Sequence, residues 1–360
     1  MKETRRKTMK KLAIGIVFGG CSSEHDVSLS SAAAVVGHLN PERYDVVPVG
    51  ITRDGRWLRY FGDAQDIAAD RWSEHPRCVP AMLSPDRSRK GLIEFAGTEY
   101  RFTPLDVVFP VLHGKYGEDG TLQGLLELAA IPFVGCGTLS SAVCMDKEAA
   151  KIWARAAGVE VAPYWTVEAG DPLEASLAKA AELGYPLYVK PARSGSSIGI
   201  TKAYGERELI QGLKTALLHD GKAIVERHVD GVELGCAVIG HSQPVTGEID
   251  EIELAGEFFD LSEKYSLATA KIHLPARIAP ETAEAARRLA LRIYRALGCS
   301  GLARVDLFLT KDGRLLFNEV NTIPGFTAKS RFPSMMREAG IGFAELLDRL
   351  IDAAVREVRR

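Results

Sequence analysis

The segment Leu302 to Gly325, LARVDLFLTKDGRLLFNEVNTIPG, restricts the fold more than any other part of the chain. Two runs of alternating pattern flank Asp312-Gly313, the dipeptide best suited to a two-residue type I′ hairpin. With that turn, Lys311 pairs with Arg314, and further in Asp306 lies opposite Glu319 and Arg304 opposite Asn321. Side chains alternate along a strand, so these four share one face of the sheet. Like charges directly opposite are destabilising. Two facing carboxylates beside an amide and a guanidinium therefore call for a compensating ligand. Mg²⁺ carrying a phosphate group fits, with hard oxygen ligands for the cation and Arg304 for an anion. The alternative is a surface hairpin with an ordinary salt bridge.

At 360 residues the chain exceeds the size at which one core keeps growing, so two or three subdomains are expected. Net charge is −2, from 45 basic and 47 acidic residues, and gives no reason to expect nucleic acid or an anionic membrane as partner. The cysteines at 21, 78, 136, 144, 236 and 299 show no CxxC spacing. They read as reduced and mostly buried residues of a cytoplasmic protein. Basic Lys2 to Lys11, then LAIGIVFGG and Cys21, imitates a lipoprotein leader. The apolar run is short, however, and SSEHDVSLSSAAAVV after it reads as loop and helix. No stretch approaches the roughly 20 apolar residues of a membrane span. Residues 1–10 read as a disordered basic tail, with Met9 an alternative start.

The first third alternates strand and helix. Strands are expected at Leu12 to Phe18, Val46 to Thr52 and Leu105 to Leu112, and helices at Ser28 to Leu39 and Gly120 to Ala130. Asp54-Gly55 marks a turn, and Ile131 to Val134 closes the region. This predicts an N-terminal α/β substrate domain over 11–140, a doubly wound parallel sheet with ligands at the carboxyl ends of its strands. Two loops at such ends, GGCSSEH from Gly19 and HGKYGEDG from His113, are rich in glycine and polar groups. A central unit, 141–224, holds helices at Lys147 to Ala157, after Asp171-Pro172, and at Glu206 to His219. It also holds the strand–loop–strand YPLYVKPARSGSSIGITKA. The remainder, 225–360, is mainly antiparallel: Ala223 to Ile239 turning at Asp230-Gly231, then the hairpin. Helices Glu281 to Leu297 and Phe343 to Val358 accompany it.

In the loop from Lys190 to Gly199, successive small residues free the backbone to point several N–H groups at one anion, and Lys190 adds a charge. It is no Walker A loop, since GK[ST] is absent and a strand follows. Glu226 and Glu233 flank a turn, where they could accept from an adenine amino group and from ribose hydroxyls, or simply be exposed acids. Lys147 opens a helix, where the dipole does not favour a cation. His25 and His113 read equally as structural or catalytic. Gly19-Gly20 follows the first strand, but the chain lacks the GxGxxG of a dinucleotide-dependent oxidoreductase.

The order Lys147, VKPARSGSSIG, VERHVDGVE and ARVDLFL…NEVN resembles the ATP-grasp fold. Together with FGGCSSEHDVS, LHGKYGEDGTLQG, MDKEAAK, EKY and NEVNTIPGFTAKSRFP, it resembles the D-alanine–D-alanine ligases from Ile14 to Val355. The resemblance implies an N-terminal α/β domain followed by a two-subdomain α+β ATP-grasp unit. It implies ATP held by Lys147, Lys190, Ser196, Ser197, Glu226, Glu233, Lys264 and the main chain around His228. Two Mg²⁺, with Mn²⁺ a possible substitute, would bind Asp306, Glu319 and Asn321. Glu24 would take the ammonium of the first D-alanine, held by Ser196 and Tyr265, with His113 among the substrate-binding residues. Arg304 and the Gly325 N–H would form the oxyanion site, and Ser330 and Arg331 would face the second substrate. Residues 260–274, with Lys264 and Tyr265, would form a lid.

The implied activity is ATP-dependent ligation of two D-amino acids for peptidoglycan precursors, in a cytoplasmic homodimer. Lys264-Tyr265 favours a peptide over an ester product. Arg331 departs from the Leu or Met of housekeeping members and resembles vancomycin-resistance-type ligases, which brings in D-serine beside D-alanine as second substrate. Such an arginine discriminates strongly only when desolvated and not already paired. The reading from another class is a nucleotide-binding module without turnover.

Overall fold

The computed structural model describes residues 10–254 and 270–357. Strands β1 (Leu12–Gly19), β2 (Tyr44–Ile51), β3 (Trp57–Arg59), β4 (Val79–Leu83), β5 (Gly91–Ala96), β6 (Glu99–Pro104) and β7 (Val107–Val111) form one sheet in the order β6-β5-β4-β3-β2-β1-β7. Only β2, β1 and β7 run parallel, joined by a bridge from Val108 to Phe133. Ile14, Ile16, Val17 and Phe18 are fully buried, as a central parallel strand covered on both faces requires. Helices α1 (His25–His38), α2 (Ala64–Ala68) and α3 (Thr121–Leu128) belong to this region. The β1–α1 and β7–α3 loops meet at the carboxyl edge. The antiparallel half, β3 to β6, had no counterpart in the sequence reading.

Helices α4 (Thr138–Met145) and α5 (Lys147–Ala156) lead into a second sheet. Its strands β8 (Tyr164–Glu168), β9 (Leu187–Pro191), β10 (Thr201–Ala203) and β11 (Lys222–Arg227) pair antiparallel in the order β10-β9-β11-β8. Helices α6 (Leu173–Leu183) and α7 (Glu206–His219) bury Ala180, Leu209, Leu213 and Ala216 in its core. The third sheet comprises β12 (Gly231–Ile239), β13 (Val245–Leu254), β14 (Ala270–His273), β15 (Leu302–Thr310) and β16 (Leu315–Asn321), in the order β14-β13-β12-β15-β16. Helix α8 (Pro280–Ala296) covers it with Ala286, Ala290, Ile293 and Tyr294. Helices α9 (Arg331–Glu338) and α10 (Phe343–Glu357) return to the first sheet, where Met335, Leu346, Leu350 and Ile351 share a core with Ile14, Phe18 and Phe109.

Three expectations are corrected. Asp230-Gly231 turns no hairpin, because β11 and β12 lie in different sheets. Residues 270–273, expected within the lid loop, form β14 on the edge beside β13. Lys311 does not pair with Arg314. Thr310 accepts from the Gly313 N–H at 2.9 Å and donates to Arg314 O at 2.9 Å, so the turn has three residues and Gly313 sits at φ +85°. Left-handed backbone at the last position of such a turn selects glycine.

A three-residue turn shifts the register by one, giving Leu309↔Leu315 and Leu307↔Phe317. A bulge then inserts Asn318, after which Asp306↔Glu319 and Arg304↔Asn321 pair as the sequence predicted. The expected face forms because the bulge cancels the extra turn residue. Phe317 N–H meanwhile donates to Glu160 O at 2.8 Å, fixing the strand beside the bulge.

Candidate active site

A cavity of about 720 Å³ takes walls from all three sheets. Of the residues expected to act, Glu24, His113, Lys147, Lys190, Ser196, Ser197, Glu226, His228, Glu233, Arg304, Glu319, Asn321, Gly325, Ser330 and Arg331 line it. Asp306 lies beneath, 1% exposed. Lys264 and Tyr265 fall outside the described residues. His25 is buried away from the cavity, its Nδ1 2.7 Å from Gly20 O.

At the nucleotide end, α5 begins at an N-cap, Asp146, whose side chain accepts from the N–H groups of Glu148 and Ala149. This cap is one of the strongest local reasons for a helix to start. It aims Lys147, whose Nζ donates to Ser194 O at 2.6 Å, at the small-residue loop. Ser196 and Ser197 both adopt left-handed backbone, φ +52° and +58°, a conformation that costs non-glycine residues roughly 1–2 kcal/mol each and that clusters at functional sites. Glu226 is buried between two ammonium groups, Lys190 Nζ at 2.9 Å and Lys151 Nζ at 3.2 Å. Burial alone would raise its pKa, but the two lysines bring it down to about 2. The side chain expected near adenine is thus already paired with cations, and the His228 N–H donates to Pro186 O at 3.1 Å.

On the face expected to hold metal, Arg304 grips Asp306 with two bonds, Nε to Oδ1 and Nη2 to Oδ2, both 2.8 Å. Asn321 Nδ2 donates to Oδ2 at 2.8 Å. A carboxylate offers about four acceptor positions, and the two shorter arginine bonds with the amide fill three of them. One position on Oδ1 remains, with Arg331 Nη2 3.7 Å from that oxygen. Among the described residues no three His, Cys, Asp or Glu side chains form a metal cage. Few protein carboxylates plus phosphate oxygens is how Mg²⁺ is commonly held at phosphoryl-transfer sites. Asp306, Glu319 and Asn321 therefore fit Mg²⁺ arriving with a nucleotide.

The corner expected to take the first substrate is built from the two glycine-rich loops. Glu24 is buried, and Ser196 Oγ donates to its Oε1, which is two-thirds of the expected triad. A Cβ at Gly195 would meet Glu24 Oε2 at 2.9 Å, so a side chain there would displace the Glu24 carboxylate. His113 Nδ1 lies 2.8 Å from Ile323 O, and burial lowers the ring's pKa despite Glu24 nearby. Glu118 accepts from Gly114 N–H at 2.8 Å and from Ile323 N–H at 2.9 Å. Burial and the neighbouring Glu24 push Glu118 up to about 8. Ser31 Oγ accepts the Phe326 N–H at 3.1 Å. Ser31 of α1 and Glu118 of the β7–α3 loop thus clamp the segment on both sides of Gly325.

At the remaining corner Ser330 Oγ accepts the Thr327 N–H at 3.1 Å and meets Thr327 Oγ1 at 2.8 Å. Arg331 is desolvated but paired: Nε and Nη2 each reach an oxygen of buried Asp250 at 2.7 Å. Burial works against its charge, and Asp250 and Asp306 more than restore it. Only one of the two conditions for strong discrimination by Arg331 is therefore met. Sequence reasoning missed Glu118, Lys151 and Asp250. Glu118 stood in a motif already noticed, and Lys151 sits four residues after Lys147, the spacing of one helix face. Asp250 gave no signal.

Residues 13–136 match the family model described as D-ala D-ala ligase N-terminus, and residues 153–352 that described as D-ala D-ala ligase C-terminus. A D-alanine–D-alanine ligase of Caldicellulosiruptor bescii is 42% identical, covering 98% of this chain and 97% of its own. The vancomycin B-type resistance protein VanB of Enterococcus faecalis is 44% identical over 96% of this chain and 99% of its own. The crystal structure of the VanG D-Ala:D-Ser ligase from Enterococcus faecalis superposes with a TM-score of 0.89 at 47% identity, covering 96% of this chain and all of that one. The chain belongs to the D-alanine–D-alanine ligase family.

Proposed function

We propose that the protein joins two D-amino acids at the expense of ATP, for peptidoglycan precursor synthesis in the cytoplasm. The first D-alanine's carboxylate attacks the γ-phosphate, giving an acyl phosphate and ADP. The amine of the second D-amino acid then attacks the acyl carbon, and phosphate leaves. The observation that carries this reading is the single cavity in which Lys147 and Lys190, the Arg304–Asp306–Glu319–Asn321 face and the Glu24–Ser196 pair converge. Catalysis is chiefly positioning and charge neutralisation. Lys147 and Lys190 hold phosphates, Glu24 the first ammonium, and Arg304 with the Gly325 N–H the developing oxyanion. Glu226, Ser197, His228 and Glu233 bind the nucleotide, and Ser330 and Arg331 face the second substrate. Mg²⁺, or Mn²⁺ in its place, would neutralise phosphate charge at Asp306, Glu319 and Asn321.

D-Alanine is the default second substrate and D-serine the alternative, the latter favoured by Arg331 in the cavity wall. A homodimer through the N-terminal region belongs to the same proposal; Met82, Phe95 and Tyr100 there are 44%, 41% and 64% exposed on one sheet face. The test is phosphate release across a panel of D- and L-amino acids, with mass analysis of the product. Release that requires D-alanine and yields a D-Ala–D-X dipeptide is expected. Release indifferent to amino acids, or nucleotide binding without turnover, refutes the proposal.

Binding of the first substrate is also expected to release a proton. Glu118, at about 8, is largely protonated at pH 7. An ammonium arriving at neighbouring Glu24 favours the ionised form of Glu118 and lowers its pKa. Calorimetry of D-alanine binding at pH 7, in buffers of differing ionisation enthalpy, should show net proton release, fading above pH 9 where Glu118 is already ionised. Glu118→Gln should abolish it, and equal release from that variant would contradict the assignment.

A further inference from the structure

Lys151 lies outside the cavity, is fully buried, and has no part in the chemistry above. A buried ammonium has three protons to place. Here Nζ donates to Asn318 O at 3.3 Å, meets Glu226 Oε1 at 3.2 Å, and lies 5.8 Å from the centre of the Phe317 ring, within reach of a cation–π contact. Asn318 is the residue inserted in β16, between Phe317, still in the turn's register, and Glu319, in the register of the metal face. A bulged residue sits outside the ladder, and a buried carbonyl without a partner is unfavourable. Slippage by one residue would turn Glu319 to the opposite face of the sheet. We propose that Lys151 is a positioning residue: it holds the Asn318 bulge, and through it Glu319, in register opposite Asp306, and ties that register to Glu226 at the nucleotide end.

The arrangement follows from α5. Lys147 and Lys151 are one turn apart on the same face. The first reaches the phosphate loop through Ser194 O, and the second reaches under it to the bulge. Lys151 is thereby ion-paired with Glu226 of the second sheet and hydrogen-bonded to Asn318 of the third. One buried cation fixes the spacing between the two walls that enclose a nucleotide and its metal.

This inference rests on the metal face proposed above, and its test separates the two. In the full chain, Mn²⁺ binding is titrated by electron paramagnetic resonance with β,γ-methylene-ATP held saturating, so that changes in nucleotide affinity drop out. Lys151→Met keeps the length and loses the donors. It should raise the Mn²⁺ midpoint by about tenfold or more, the scale for residues that orient metal ligands. Lys151→Gln keeps an amide donor and should shift the midpoint less, in the same direction, giving a reading where Met folds poorly. Glu226→Gln should raise the nucleotide concentration needed for saturation and move the metal midpoint less than Lys151→Met does, because the bond from Lys151 to Asn318 O remains. A midpoint unmoved in both Lys151 variants overturns the inference, since Lys151 would then serve Glu226 alone. Absence of a nucleotide-dependent Mn²⁺ site in the unmodified protein overturns the metal-face reading, and the inference with it.

Discussion

Glu319→Gln should lower turnover by about 10²-fold or more, the range found when one preorganised charge stabiliser is removed, while the protein stays folded. Glu319 lies directly across from Asp306, whose carboxylate already accepts from Arg304 and Asn321. On the proposed reading, Asp306 alone would then have to hold metal charge against the phosphates. The glutamine is isosteric; it removes a like charge opposite Asp306 and, in the opposite sense, the attraction of Glu319 to the buried Lys151 and Lys190 ammonium groups. The two effects offset, so the melting temperature is expected to change little as activity collapses, a split that ordinary destabilisation does not give. Phosphate release in excess Mg²⁺, with a thermal melt on the same sample, reads both. Near-normal turnover in a folded Glu319→Gln protein would remove Glu319 from the metal face.

The register behind that prediction was legible in the sequence for a partly wrong reason. Counting inward from a two-residue turn at Asp312-Gly313 placed Asp306 opposite Glu319, yet the turn has three residues and Asn318 is bulged. Two one-residue errors cancel. What constrained the answer was the alternation near the strand ends, because a slip there would move polar Asp306 and Glu319 to the wrong face. Helices were read closely, as at Glu206–His219, since a 3.6-residue period declares itself locally. Asp230-Gly231 misled because a turn dipeptide says nothing about which sheet the flanking strands join. The pairing of Arg331 with Asp250 was out of reach, being a contact across 81 residues between an exposed-looking acid and a helix start. Glu118 and Lys151 lay beside residues already singled out, and only burial separates them from ordinary surface charges.

Asp250→Leu should destabilise the fold by about 3–5 kcal/mol, the loss expected when one member of a buried ion pair is removed. Asp250 and Arg331 side chains are 1% and 9% exposed and share two bonds. The cleft they occupy is shaped for them, since a Cβ at Gly235 would run into both. Arg331→Met leaves Asp250 uncompensated and should cost a similar amount, whereas Asp250→Leu combined with Arg331→Met should recover most of it. Denaturant unfolding of the four proteins checks the cycle, and additive losses would show that the pair does not act as a unit. The same arginine bears on the second substrate. Asp250 takes two of its five N–H groups, and Glu233 and Asp306, at 3.9 and 3.7 Å, are too distant for hydrogen bonds. Donors thus remain for a hydroxyl in the cavity, held in place by the pair with Asp250. A bond from a charged donor contributes about 1.5–3 kcal/mol, so Arg331→Met should lower the D-Ser to D-Ala ratio of kcat/KM by roughly tenfold. An unchanged ratio in folded protein would make Arg331 a scaffold for Asp250 and Asp306, with selection of the second substrate made elsewhere in the cavity.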